Sequence, residues 1–307
     1  MESEFSADGT RVPDSYLKTR LGALRAAQNP DGGWGYFPGK ESWIEPTAYA
    51  ALALHGDSAS DRAWKLLSSW QLADGSWKPS VKVTVPSWAT SLCVLIAIAR
   101  GETGEPFQKG INWLLGSSGV ESDFLNRLVV ALGIVKAERN MSLKGWPWKP
   151  DTSSWVEPTS HALVALRKAS PKIPSGSQST LNERLKIGEK QLMNCRSNDG
   201  GWNYGSPEAL GMNLPSYPET TALALVGLQQ TKGLDRAFEV ATNLMKVTPS
   251  PLARAWLTIA MRLHGMPVDE SAAEAVTNPS HDLMITAVEA LSPADGNWKL
   301  MHTEGAA

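Results

Sequence analysis

Ser42-Trp43-Ile44-Glu45-Pro46-Thr47-Ala48, Ser154-Trp155-Val156-Glu157-Pro158-Thr159-Ser160 and Ser216-Tyr217-Pro218-Glu219-Thr220-Thr221-Ala222 are three versions of one phrase. Each leads into an apolar run that ends in Ala-Leu or Gly-Leu. A glycine-tryptophan turn precedes the first and the third: Asp31-Gly32-Gly33-Trp34-Gly35-Tyr36 and Asp199-Gly200-Gly201-Trp202-Asn203-Tyr204. Recurrence on this scale is the mark of a repeat architecture, and it takes precedence over every other fold signal.

Working outward from these phrases, apolar residues recur at helical spacing over most of the chain. The pattern predicts a first helix over Ser15–Ala27, with Leu17, Leu21 and Leu24 on one face, and a second over Thr47–Leu54 opened by Pro46. Further pairs follow as Ser60–Gln71 with Trp88–Ala99 and Pro106–Leu115 with Asp123–Ala137. Pro158–Ala169 comes next, then Leu181–Asn194 with Thr220–Gln230 and Asp235–Lys246 with Pro251–Leu263. Ser271–Ala275 with His281–Leu291 is the last pair. Period-2 alternation occurs only at Val81–Val85, in a loop. One helix of each pair carries charges on one face (Asp61, Arg62 and Lys65; Glu183, Arg184, Lys186, Glu189 and Lys190). Its partner is nearly free of charge, as in Ala48–Leu54, Ser91–Ala99 and Thr221–Leu228. A helix that is apolar all round is buried on all sides. The expectation is therefore an all-α protein, an α/α toroid of about six hairpins, with apolar helices inside and amphipathic ones outside. An open solenoid of hairpins is the rival arrangement.

The 307 residues are read as a single toroid domain, residues 1–307, with residues 1–14 and 299–307 as flexible ends. A formal net charge of -2, with no basic stripe, argues against nucleic acid as a partner. Cys93 and Cys195 are far apart and form no disulfide framework. The expectation is a cytoplasmic protein without a signal peptide or a bilayer-spanning run, with peripheral membrane contact and oligomeric state left open.

The turns carry a resemblance. Gln28-Asn29-Pro30-Asp31-Gly32-Gly33-Trp34 and Gln71-Leu72-Ala73-Asp74-Gly75-Ser76-Trp77 fit Gln-x3-Gly-x-Trp, Arg196–Trp202 fits with Arg in place of Gln, and Ser292–Trp298 is a degenerate copy. This resembles the QW repeat of the squalene/oxidosqualene cyclase and prenyltransferase superfamily. The resemblance implies an α/α toroid and an isoprenoid substrate. Class II cyclases of that family carry an Asp-x-Asp-Asp-Thr-Ala motif whose middle Asp protonates an alkene or epoxide. Overlay of that motif places Glu45, Glu157 and Glu219 at the proton donor, but the flanking aspartates are absent here. The zinc of the protein prenyltransferases has no counterpart at Cys93 or Cys195, so no metal and no cofactor is expected. Few cations are offered for a diphosphate, chiefly Arg127, Arg167 and Arg254.

Glu45, Glu157 and Glu219 are the candidate catalytic residues. Read blandly, each is a helix-start carboxylate beside unpaired N–H groups. Yet Glu is not a preferred cap, and its use three times calls for another reason. Converging on one mouth, like charges would raise one another's pKa, making one an acid and another its counter-charge. Trp43, Trp155 and Tyr217 would ring the same mouth, where aromatic faces stabilise cations. Trp88 stands where the second repeat would have a glutamate. Tyr49, His161, Trp34 and Trp202 complete the candidate substrate-binding set, with His161 one turn after Glu157 and able to face it. Buried packing is the competing reading for these aromatics. The function expected is that of a terpene cyclase-like lyase or isomerase acting on a hydrophobic isoprenoid. The alternatives are a non-catalytic toroid that binds a lipid or a partner, and a carbohydrate-active α/α-barrel enzyme.

Overall fold

A computed structural model describes residues 16–120, 143–209, 212–270 and 278–303. Among them are eleven α-helices. In chain order they are α1 (Tyr16–Ala26), α2 (Ile44–Ala53), α3 (Ser58–Ser68), α4 (Thr90–Ala99), α5 (Glu105–Gly116) and α6 (Val156–Ala169). Then come α7 (Gln178–Asn194), α8 (Pro218–Gly227), α9 (Asp235–Val247), α10 (Pro251–Leu263) and α11 (Leu283–Leu291). The only strands among the described residues are β1 (Glu208–Ala209) and β2 (Met212–Asn213), a short antiparallel hairpin in the loop before α8. The helices expected at Asp123–Ala137 and Ser271–Ala275 lie outside the described residues.

Six helices form a closed inner ring. Contacts run from α2 to α4, α6, α8, α10 and α11, and from α11 back to α2. This closure gives an α/α toroid and removes the open solenoid. The inner helices are buried as their composition demands; Thr90 to Ala97 of α4 has no exposed side chain. The outer helices bury one stripe, as α3 does with Ala59, Ala63, Trp64 and Leu67.

The pairing differs from the order expected. Each described outer helix after α1 packs on the inner helix that precedes it: α3 on α2, α5 on α4, α7 on α6 and α9 on α8. The inner-to-outer links are short (54–57, 100–104, 228–234), whereas three of the outer-to-inner links are long loops (27–43, 69–89, 195–217) and, among the described links, only 248–250, between α9 and α10, is short. Short connections keep neighbours together. The first helix, α1, is thereby left to pack on α11, joining the two ends of the chain.

The glycine-tryptophan turns lock one layer to the other. Trp34, Trp77, Trp146 and Trp202 each donate an indole N–H to the end of an outer helix, at Leu24 O (2.8 Å), Leu67 O (2.8 Å), Leu114 O (2.8 Å) and Leu192 O (2.7 Å). Their backbone N–H groups donate to Thr47, Thr90, Thr159 and Thr221 on the following inner helix. Gln28 and Gln71 donate to the turn carbonyls of Gly32 and Gly75 and also reach the next outer helix. Trp146 is a full copy that lacks the leading Gln. Trp298 of the degenerate copy makes no such bond: its indole N–H is buried without a partner.

Gly75 sits at φ +93°, and a Cβ there would lie 2.4 Å from Lys109 O. Gly75→Ala is expected to lower stability by about 2 kcal/mol or more, through both the left-handed backbone and the clash. A urea midpoint that stays put would overturn this account of the turn.

The opposite end of the ring is sealed. Residues 299–303, grouped in the sequence reading with a flexible end, are docked here. Asn297 donates to Ala53 O (2.9 Å) at the end of α2, Met301 is buried, and Thr303 N donates to Gln229 (2.9 Å). No helix among the described residues is long and apolar enough to cross a membrane.

Candidate active site

The starts of the inner helices gather at one mouth. Leu283 N, opening α11, donates to Tyr36 O (2.7 Å), and Val156 N, opening α6, donates to Tyr204 O (3.0 Å). The three glutamates belong to this mouth, but their helices begin earlier than expected. The α2, α6 and α8 helices start at Ile44, Val156 and Pro218, so Glu45, Glu157 and Glu219 lie inside the first turn. Proline is tolerated anywhere in that turn, because its N–H groups are unpaired in any case. The preceding residues Trp43, Trp155 and Tyr217 hold the cap position with no side-chain cap bond. None of the three glutamates therefore serves as the N-cap of its own helix.

Glu45 is clamped by two neutral donors. The Tyr36 hydroxyl donates to its Oε2, and the Trp88 indole N–H donates to its Oε1 at 3.0 Å. The second repeat, which has a tryptophan where the others have glutamate, thus supplies a donor to the acid of the first. Burial and the Glu45 charge push the Tyr36 hydroxyl well above its ordinary pKa, with further contributions from Asp282 and Glu157.

Glu157 is treated differently. It is half-buried, and among the described residues its carboxyl has no hydrogen-bond partner. Its charge is felt at Tyr36, Tyr49 and Tyr204, and burial strips its hydration without a hydrogen bond to replace it. Burial first and the Glu45 charge second push its pKa up to about 8. Of these carboxyls it is Glu157 whose proton is held, the property that a general acid needs.

Glu219 stands apart. It accepts from the Ser250 hydroxyl (3.0 Å) at the N-cap of α10 and makes no hydrogen bond to Glu45 or Glu157. Tyr204 lies between the groups: its hydroxyl pKa is raised by burial, then by Glu219, Tyr217 and Glu157.

Beneath the glutamates lies an aromatic floor. The Tyr49 hydroxyl and His161 Nε2 are 3.0 Å apart. His161 also packs against Trp88 (5.3 Å between centroids) and Trp256 (5.5 Å), and Tyr49 packs against Trp256 (5.7 Å). Burial lowers the His161 pKa to about 3, so the ring is neutral at neutral pH. His161 makes no bond to Glu157; it bonds Tyr49 across the ring, one turn deeper, as a satisfied core histidine.

Several expected substrate contacts are corrected by burial. Trp34 and Trp202 are 0% exposed and belong to the wall between layers. Tyr49, His161 and Trp88 are buried in the floor, and Trp88 touches the site through its N–H. Trp43, Trp155 and Tyr217 keep accessible surface at the mouth, where Tyr217 stacks with Tyr204 at 5.4 Å. Sequence reasoning missed Tyr36, Trp148, Tyr204, Trp256, Ser250 and Asp282. Three of these share a signal: Trp34-Gly35-Tyr36, Trp146-Pro147-Trp148 and Trp202-Asn203-Tyr204 each place an aromatic residue two after the buried tryptophan. The buried member anchors the turn, and its successor points to the mouth; Trp148 meets Trp88 edge-on at 5.1 Å.

No protein-family model matches the chain, and no curated protein matches it. Solved structures do. The type II terpene cyclase MstE from Scytonema is 19% identical over 85% of this chain and 77% of that one, with a TM-score of 0.53. Rex8A from Paenibacillus barcinonensis, complexed with an arabinofuranosyl-xylotetraose, is 10% identical over 94% of each chain, with a TM-score of 0.58. The alpha-1,6-mannanase GH76A of Salegentibacter sp. HEL1_6 is 9% identical over 91% of this chain and 99% of that one, with a TM-score of 0.56. At these identities the likeness is one of fold, the α/α toroid, and function is argued from the site.

Proposed function

We propose that the chain is an acid–base enzyme of the terpene-cyclase kind, acting on an isoprenoid, with Glu157 as the acid and Glu45 as its facing negative charge. The observation that carries this reading is the unpartnered Glu157 carboxyl, held up to about 8 opposite a clamped Glu45. A general acid is most useful when its pKa lies near the working pH. In the proposed step, the π pair of a terminal alkene forms a C–H bond with the Glu157 proton, leaving a tertiary carbocation and a Glu157 carboxylate. A second alkene then closes a ring. Loss of a proton to a carboxylate at the mouth gives a cyclic isomer of unchanged mass. Glu45 and the rings of Tyr36, Trp148, Tyr204 and Tyr217 offer the cation negative charge and π faces. The QW-like turns and the apolar inner helices support an isoprenoid over a sugar.

One observation favours a second reading: two neighbouring carboxyls, one of them held up to about 8, are also the equipment of a glycosidase. The test offers squalene, farnesyl diphosphate, geranylgeranyl diphosphate and oligosaccharides to the purified protein, followed by mass spectrometry. The expected outcome is an isoprenoid product of unchanged mass that gains one deuterium in heavy water. Glu157→Gln should slow its formation by about 100-fold or more. Undiminished turnover in that variant would remove Glu157 as the acid. Oligosaccharide cleavage that depends on Glu157 would transfer the pair to glycoside hydrolysis, and stabilisation without turnover would leave a lipid-binding toroid.

A further inference from the structure

The aromatic floor lies close beneath the glutamates. Tyr49 follows Glu45 by four residues and His161 follows Glu157 by four, so the floor lies one helical turn, about 6 Å, below the carboxyls. Tyr49, Trp88, His161 and Trp256 are each at most 5% exposed and pack ring against ring across the toroid. Beyond the floor the far end is closed by residues 297–303. A long chain cannot thread the ring, so whatever places its reactive end at Glu157 keeps the remainder outside.

Building on the isoprenoid reading above, we propose that the groove between the Tyr36–Trp43 loop and the start of α11 holds the apolar tail of the ligand. The groove has a volume of about 620 Å³ and is lined by Tyr36, Phe37, Lys40, Glu41, Trp43 and Asp282. That volume lies within the range of pockets that enclose small molecules. Tyr36 is common to the groove and the site: its ring lines the one and its hydroxyl donates to Glu45 in the other. Its wall is aromatic: Trp43 lies 6.4 Å from Tyr36, and Phe37 is 50% exposed. The wider surface agrees. Among the described residues, the large apolar side chains left exposed are Phe37, Val81, Val85, Tyr204, Met212 and Tyr217, on the loops entering the inner helices, and Val247, which ends α9 on the same side. The opposite face has none among the described residues. Apolar surface gathered around one mouth marks a surface used for binding.

The test measures binding of geraniol, farnesol and geranylgeraniol to the full chain by calorimetry. Wild-type affinity is expected to rise at least about tenfold across the series, since each methylene buried in the groove adds to binding. Phe37→Ser should weaken geranylgeraniol at least about fivefold while leaving geraniol nearly unchanged, and Phe37→Trp should retain the length dependence. Equal affinity for the three alcohols, no binding of any, or a length dependence untouched by Phe37→Ser would overturn the tail groove. Glu157→Gln separates this proposal from the reading it rests on. If Phe37→Ser flattens the series while Glu157→Gln leaves turnover intact, the groove stands and the acid falls. If Glu157→Gln abolishes turnover while Phe37→Ser changes nothing, the acid stands and the groove falls.

Discussion

Glu157→Gln is expected to stabilise the folded chain at pH 9 by up to about 5 kcal/mol, while leaving it nearly unchanged at pH 4.5. The folded carboxyl titrates at about 8, against 4.5 for a free one. Because the folded value is the higher, the neutral carboxyl's full contribution is present below the unfolded pKa. It is lost as pH rises through the folded one. The cost of a charged Glu157 therefore grows between about pH 4.5 and 8 and is complete above that window. Glutamine keeps the shape without the charge and escapes that cost. In a chain of 307 residues, 5 kcal/mol corresponds to a Tm difference of about 8 °C. His161, lowered to about 3, also weakens the fold as pH falls below its unfolded value, but it does so in both proteins and cancels in the difference. Glu45→Gln supplies a second check. The Glu45 charge is the second cause of the Glu157 shift, so removing it should narrow the gap at pH 9. The measurement is a thermal melt of wild type and both variants from pH 4.5 to 9. Parallel wild-type and Glu157→Gln curves would mean that Glu157 carries no displaced proton, and the acid reading would lose its support.

The ring was legible because its signals are local and repeated. Alternation of charge-free and one-sided helices predicts two layers, and the turn phrases predict where the layers are tied. Trp34, Trp77 and Trp202 do tie them, each with one bond to the helix before and one to the helix after. The pairing of helices was not legible, since α3 follows α2 by a short link and packs on it rather than on α4. The candidate site was legible in its acids and not in their division of labour. Glu45 and Glu157 sit in near-identical phrases. What separates them is that Tyr36 and Trp88, from elsewhere in the chain, reach one and not the other. A repeat reports what its copies share, whereas a site is made by the differences between them. The Trp88 substitution was visible as an irregularity, but its indole donor became meaningful only once ring closure set it beside Glu45.

The second large effect is expected where the ring closes. Arg20→Ala or Glu289→Ala should each destabilise the fold by about 3–5 kcal/mol, the cost of leaving one charge of a buried pair without the other. Arg20 of α1 meets Glu289 of α11 at 3.1 Å, with side chains 0% and 1% exposed. The Tyr16 hydroxyl also donates to Glu289 (3.3 Å), and the Arg20 guanidinium lies 3.3 Å over the Tyr16 ring. Arg20 stands on the same stripe as Leu17, Leu21 and Leu24, the face the periodicity assigns to the core. A cation on that stripe signals a buried partner: Arg20 also donates to Tyr16 O and Asn278 O, but its countercharge comes from the last inner helix. The pair is not required for cohesion as such, because buried ion pairs are often replaceable by apolar side chains of similar volume. Arg20→Met combined with Glu289→Leu should therefore recover most of the loss that either alanine variant suffers. Urea titration of wild type and the three variants distinguishes the cases. A double variant as unstable as the single ones would mean that the charges themselves hold α1 against α11. Single variants as stable as wild type would mean that α1 is dispensable and that the six inner helices close the ring unaided.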